Sequence, residues 1–146
     1  MFFILTLLFI IMDLFSKYLF NLFLKQEIFL VGNFASLKLI KNPGIAFSMP
    51  ISGLILKVLT VLIIAFLTYY FFKFEKKNKN NIMILTYSLI LGGAIGNGIE
   101  RIFFNQVTDF LKIKNFAVMN FGDIFITIGT IILIFFYNKI GTKKEK

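Results

Sequence analysis

The chain has neither histidine nor cysteine. That excludes thiol nucleophiles, disulfides, Ser-His-Asp triads, Cys/His zinc sites and haem held by His or Cys. The acids are then the informative set, and there are seven: Asp13, Glu27, Glu75, Glu100, Asp109, Asp123 and Glu145. Glu27, Glu75 and Glu145 fall in polar connections or the tail and read as solvated. Asp13, Glu100, Asp109 and Asp123 fall in or at the edge of long apolar runs. A charge at the bilayer centre costs about 2.5–3.5 kcal/mol on insertion scales, so such acids are paired or functional by default.

Asp109 and Asp123 are the most suggestive pair. Thirteen residues separate them, enough to turn the chain back on itself. Two carboxyls at one depth with few cations nearby can share a proton. One then activates water while the other protonates a peptide carbonyl. The rival roles are holding a cation or capping helix ends. Asp13 and Lys17 stand four apart on one helix face and can neutralise each other. Glu100 and Arg101 are adjacent, about 100° apart on a helix, and need other partners. Arg101 is the only arginine; its planar fork suits a carboxylate, phosphate or peptide carbonyl, as structural clamp or as substrate contact. Asn42-Pro43-Gly44 and Asn97, among Gly92, Gly93, Gly96 and Gly98, add amides and close-packing positions near these acids.

The elements that must position these residues read as membrane spans. The 146 residues are 58% hydrophobic and only 16% charged, with mean hydropathy +0.86. A soluble domain carries about 25% charged residues, so a single integral-membrane domain over 1–146 is expected. A span needs about 20 apolar residues, and four stretches qualify, at about 2–24, 53–72, 82–104 and 120–140. The first lacks a basic leader and an A-x-A-like cleavage site, so it reads as a retained helix.

The net charge of +9 reads as a topology signal rather than a nucleic-acid patch. Four Lys lie in 73–81 and four from Lys139 onward, against three in 25–52 and two in 105–119. The positive-inside rule then places both termini and the middle loop in the cytoplasm. The outward segments carry strand patterns: Leu111 to Lys114 alternates, and 27–31 and 34–40 flank Gly32-Asn33 as a hairpin. The expected fold is all-α, four transmembrane helices with a small extracytoplasmic β-sheet. No internal repeat is visible.

Five blocks, spread across nearly the whole chain, resemble in order the motifs of one known family. Asp13-Leu14-Phe15-Ser16-Lys17 resembles D-x-x-S/T-K. Asn42-Pro43-Gly44-Ile45-Ala46-Phe47 resembles N-x-G-A-A-F, with Ile45 for Ala. Gly96-Asn97-Gly98-Ile99-Glu100-Arg101 resembles G-N-x-x-D-R, with Glu100 for Asp. Val107-Thr108-Asp109-Phe110 resembles V-x-D-F. Asn120-Phe121-Gly122-Asp123 resembles F-N-x-A-D, with Met119 for Phe and Gly122 for Ala.

Together the five blocks resemble the lipoprotein signal peptidase (signal peptidase II) family, and the resemblance implies an aspartic endopeptidase of the bacterial inner membrane that works without metal or cofactor. It would remove signal peptides from diacylglyceryl-modified prolipoproteins near the outer leaflet surface. Asp109 and Asp123 would be catalytic. Asp13, Lys17, Asn42, Gly44, Asn97, Glu100, Arg101 and Asn120 would shape or contact the site. Its expected partners are these precursors and membrane lipids, not nucleic acid, and it would act as a monomer. The competing readings are a small four-helix proton-coupled transporter with Asp13 as carrier acid, and a purely structural subunit.

Overall fold

Four apolar helices and a four-stranded antiparallel sheet make up the fold, taken from a computed structural model that describes residues 1–44, 53–75 and 80–144, with side chains as far as residue 136. The helices are α1 (Phe2–Phe23), α2 (Gly53–Tyr70), α3 (Asn81–Phe104) and α4 (Phe121–Lys144); α2 runs on into a π-helical stretch, Phe71–Glu75. Phe2–Phe23, Gly53–Glu75 and Asn81–Phe104 are each long and apolar enough to cross a membrane. In α4 the apolar part among the described residues is Phe121–Phe136. The four helices coincide closely with the four expected stretches, and among the described residues three of them have the length and apolarity of a membrane span. Residues 45–47 of the Asn42 block lie outside the described residues.

Helix ends follow local chemistry. The Asn80 side chain accepts from the Ile82 N–H at 2.9 Å and starts α3. Asn105, in the left-handed region at φ 58°, ends it by donating its N–H to Arg101 O. Lys57 Nζ donates to Ile102 O at 3.1 Å, covering one of the carbonyls that a helix C-terminus leaves open.

Helix α3 is the central element, buried from Met83 to Gly93 over most positions and again at Gly96, Asn97, Gly98 and Glu100. Large apolar side chains such as Phe3, Ile4, Leu7, Ile11 and Phe15 on α1 point outward. In lipid such exposure costs nothing, and helices associate through close packing and polar contacts instead. Glycine permits that packing: a Cβ on Gly93 would collide with the Gly122 carbonyl of α4, and one on Gly96 with the Asp13 carboxylate of α1. At one end of the bundle Phe2 stacks on Phe71 at 4.1 Å, beside Met83 and Tyr87.

The sheet runs β1 (Ile28–Val31), β2 (Ala35–Asn42), β3 (Val107–Ile113) and β4 (Ala117–Met119), in that order. Gly32, at φ +45°, turns the expected first hairpin, and Asn115, at φ 57°, turns a second. Strand β4 was not legible in the sequence because three residues are too few to show alternation. Strand β3 starts four residues earlier than the Leu111–Lys114 pattern, because both its faces are covered at Val107 to Phe110, which erases alternation. Pairing of β2 with β3 places Asn42 opposite Val107 and Ile40 opposite Asp109, so Asn42 and Asp109 are diagonal neighbours on one face.

Two expectations of solvated acids are corrected. Glu27 accepts from Ser36 Oγ at 2.7 Å and Lys112 Nζ at 3.1 Å, with Lys38 Nζ at 3.5 Å. It therefore ties β2 and β3 to the segment before β1, and the Ser36 hydrogen bond and Lys112 hold its carboxyl below the usual range. Glu75 is buried in the π-helical stretch.

Candidate active site

The first turn of α4 is built by a reciprocal cap. Asn120 Oδ1 accepts from the Asp123 N–H at 3.0 Å, and Asp123 Oδ2 accepts from the Asn120 N–H at 3.1 Å. This is a capping box with Asn and Asp in the two roles. The Gly122 N–H, another donor left open at a helix start, goes to Asp13 Oδ1 at 2.7 Å. Helix α1 thus grips α4 one residue before Asp123.

Both candidate catalytic carboxyls are held by amides. Asp109 Oδ1 accepts from Asn120 Nδ2 at 2.7 Å, and Asp109 Oδ2 from Asn42 Nδ2 at 3.0 Å. Asp123 Oδ1 accepts from Asn97 Nδ2 at 2.9 Å. Asn120 therefore touches both acids. The amides are themselves oriented. Asn42 Oδ1 accepts from the Gly44 N–H at 3.0 Å, an Asx turn that aims the other end of the amide at Asp109. Asn97 Oδ1 accepts from Lys17 Nζ at 2.7 Å, which leaves its donor for Asp123.

Lys17 anchors the layer beneath. Its ammonium, 2% exposed, donates to Asp13 Oδ2 at 2.6 Å and lies 3.3 Å from Glu100 Oε2. With Asn97 this gives three acceptors for three N–H bonds. The expected Asp13–Lys17 pair is thus present, and Glu100 joins it. Glu100 also accepts from the N–H and hydroxyl of Thr108 at 2.8 and 2.7 Å. A buried ion cluster of this kind keeps its charges only when the remaining lone pairs and protons are also met.

Burial is the main cause that pushes the Asp109 carboxyl up to about 6. The negative charge of Asp123 adds to the rise, while the amides of Asn42 and Asn120 and the charge of Lys17 oppose it. Arg101 lies within the electrostatic reach of Asp123, Asp109 and Glu100. Among the described residues its buried Nε has no hydrogen-bond partner. Arg101 and Asn97 line a largely apolar groove of about 460 Å³ between α2, α3 and α4. A second apolar groove, of about 370 Å³, runs between β4 and the start of α4 and includes Asp123.

Asp13, Lys17, Asn42, Gly44, Asn97, Glu100, Asp109, Asn120 and Asp123 thus form one connected network, with Arg101 at its edge. Sequence reasoning passed over Thr108, Lys41 and Asn21. Lys41 Nζ donates to Thr108 Oγ1 at 2.8 Å and to Asn21 Oδ1 at 2.7 Å. Only the position of Thr108 beside an intramembrane-edge acid could have flagged it.

Residues 5–138 match the family model described as Signal peptidase (SPase) II. The chain is 35% identical to the lipoprotein signal peptidase of Chlorobium phaeobacteroides, over 98% of this chain and 99% of that one. It is 37% identical to the lipoprotein signal peptidase of Buchnera aphidicola subsp. Schizaphis graminum, over 78% and 76%. A bacterial membrane enzyme solved by the in meso method at 2.3 Å superposes with a TM-score of 0.87 at 26% identity, covering 98% of this chain and 90% of that one. Another, solved at 1.9 Å, gives 0.80 at 27% identity, covering 92% and 90%. The sequence match spans nearly the whole chain and the architecture is shared with solved membrane enzymes, so this chain belongs to the signal peptidase II family, the lipoprotein signal peptidases.

Proposed function

We propose that the chain, as a single domain, cuts signal peptides from diacylglyceryl-modified prolipoproteins through an aspartic dyad of Asp109 and Asp123. The bond cut is the one N-terminal to the lipidated cysteine. The observation that carries this reading is the shared contact of Asn120, which holds both carboxyls at the junction of sheet and helix.

The raised pKa of Asp109 supports its role as the half that holds the proton. Asp123 then takes a proton from water as the water oxygen attacks the scissile carbonyl. Asp109 gives its proton to the carbonyl oxygen, forming a neutral gem-diol. Collapse breaks the C–N bond, the leaving nitrogen takes a proton from the Asp123 carboxyl, and the gem-diol proton returns to Asp109. The products are the signal peptide carboxylate and a new amine on the lipidated cysteine. Arg101, with an open donor beside the groove, suits a backbone carbonyl of the substrate.

Four crossings, with both termini cytoplasmic and the sheet on the outer surface of the inner membrane, would bring the dyad to the depth where acyl chains and signal helix pin the scissile bond. Confinement to the membrane plane raises the effective concentration of substrate, so few side-chain contacts are needed. The two apolar grooves, one including Asp123 and the other lined by Asn97 and Arg101, supply room for apolar substrate segments. The same arrangement is consistent with a monomer.

The transporter reading loses its support at Asp13. That residue is fully buried, and its two oxygens are engaged by Lys17 and the Gly122 N–H, which suits an anchor and not a carrier acid. Depletion of the protein tests the choice. Lipidated precursors with uncleaved signal peptides should accumulate, and the wild-type chain, but not Asp109→Asn, should clear them. A transporter predicts no such build-up.

A further inference from the structure

We infer that Thr108 is a positioning residue for Asp109, clamping the start of β3 onto Glu100 so that the neighbouring carboxyl is held against Asn120 and Asn42. The inference rests on the reading of Asp109 as half of the catalytic pair. Thr108 is 1% exposed. Its N–H and its hydroxyl go to the two oxygens of one carboxylate, Glu100 Oε2 and Oε1. Its hydroxyl oxygen accepts from Lys41 Nζ at 2.8 Å and from Asn21 Nδ2 at 3.4 Å. One donor and two lone pairs are the full capacity of a hydroxyl, and all are used.

Strand alternation sets Thr108 and Asp109 on opposite faces. Phe110 shares the Thr108 face and stacks on Phe20 of α1 at 4.0 Å. One face of the strand is thereby fixed to α1 and α3, while the other presents Asp109 to the two amides. Glu100 is in turn fixed by Lys17, so the clamp joins β3 to the same ammonium that orients Asn97 toward Asp123. Both acids are positioned from one buried cation. The Glu100 carboxylate forks onto Thr108 while staying beside Lys17.

The test is steady-state cleavage of a diacylglyceryl-modified precursor by purified, monodisperse full-length variants. Thr108→Val keeps the shape and removes the hydroxyl. A small misplacement of a reacting group costs up to about 100-fold. Its kcat should therefore fall between about 10- and 100-fold with KM changed less than about twofold. Thr108→Ser should recover most of the loss. Glu100→Asp should lower kcat similarly, and the double variant Thr108→Val/Glu100→Asp should be little worse than either, because both break one clamp. The matched change Thr68→Val, which removes only a hydroxyl bonded to Ile64 O within α2, should leave kcat unchanged.

Wild-type kcat in Thr108→Val overturns the inference. So do a loss that Ser does not recover, or losses that multiply in the double variant. If Thr108→Val does not fold, Glu100→Asp and Thr108→Ser decide: wild-type kcat in Glu100→Asp, or a large loss in Thr108→Ser, overturns it. Asp109→Asn, assayed alongside, separates the two readings. Its activity would remove the dyad, whereas an inactive Asp109→Asn with a fully active Thr108→Val removes only the clamp.

Discussion

Asn120 and Asp123 cap one another at the start of α4, each accepting the other's backbone N–H at 3.0–3.1 Å. The same Asn120 donates its amide to Asp109. One residue thus fixes the orientation of one acid through the backbone and of the other through a side chain.

Asn120→Ala removes the cap and the Asp109 contact together. Loss of an N-cap costs about 0.5–2 kcal/mol, so the variant should still fold. Cleavage should fall by up to about 100-fold, since the Asp109 carboxyl loses its Asn120 amide and the Asp123 backbone N–H loses its cap, while the Asp123 carboxyl keeps the N–H of residue 120. Thermal unfolding in detergent and a cleavage assay on the same sample check both halves. Near-wild-type cleavage would contradict the assignment.

Lys17→Met leaves Asp13 and Glu100 buried without their shared cation. Breaking a buried pair from one side costs about 3–5 kcal/mol, and a large drop in unfolding temperature is expected. Sequence spacing alone suggests that removing Asp13 as well should restore much of this. The structure argues for a partial recovery only: Asp13→Leu/Lys17→Met still strands Glu100 and leaves the Gly122 N–H without its acceptor. A double variant as stable as wild type would show that Glu100 does not depend on Lys17.

The pH profile should carry the signature of Asp109. Its carboxyl sits at about 6, and the proposed chemistry needs it protonated. The basic limb of kcat/KM, which reports groups of the free enzyme, should fall as pH rises through about 6. Asn42 favours the ionised form by donating to Asp109 Oδ2. In Asn42→Ala the pKa therefore rises further, and the limb should move to higher pH while overall activity drops. A limb that moves to lower pH would reverse the assigned role of that hydrogen bond.

Orientation can be read with single cysteines, because the chain has none of its own. Cysteine at Lys114 should react with an impermeant thiol reagent in intact cells, and cysteine at Asn80 should not. Labelling at Asn80 alone would invert the proposed topology.

Much of this was legible in the sequence because membrane spans announce themselves by length and apolar composition. An acid inside such a span also stands out against its surroundings. The Asp13–Lys17 pair followed from helical spacing alone. Contacts made across the fold were not legible. Lys17 reaching Asn97 and Glu100 requires the approach of α1 to α3 at Gly96. Asn42 reaching Asp109 requires the register of β2 on β3. The early part of β3 was missed because burial on both faces removes alternation, and the roles of Thr108 and Glu27 depend on partners distant in sequence.

The central claim is that Asp109 and Asp123 act as one unit. Asp109→Asn and Asp123→Asn keep size and nearly keep shape but cannot exchange a proton. General acid–base roles are each worth about 10²–10⁴-fold, and groups that act together do not lose additively. In cleavage of a diacylglyceryl-modified precursor by purified, monodisperse protein, either single variant should lose nearly all activity. The double variant should be scarcely worse, and EDTA should leave the wild type unaffected. Substantial cleavage by either single variant, or inhibition of the wild type by EDTA, would contradict the dyad, the latter pointing to a metal held by the same carboxylates.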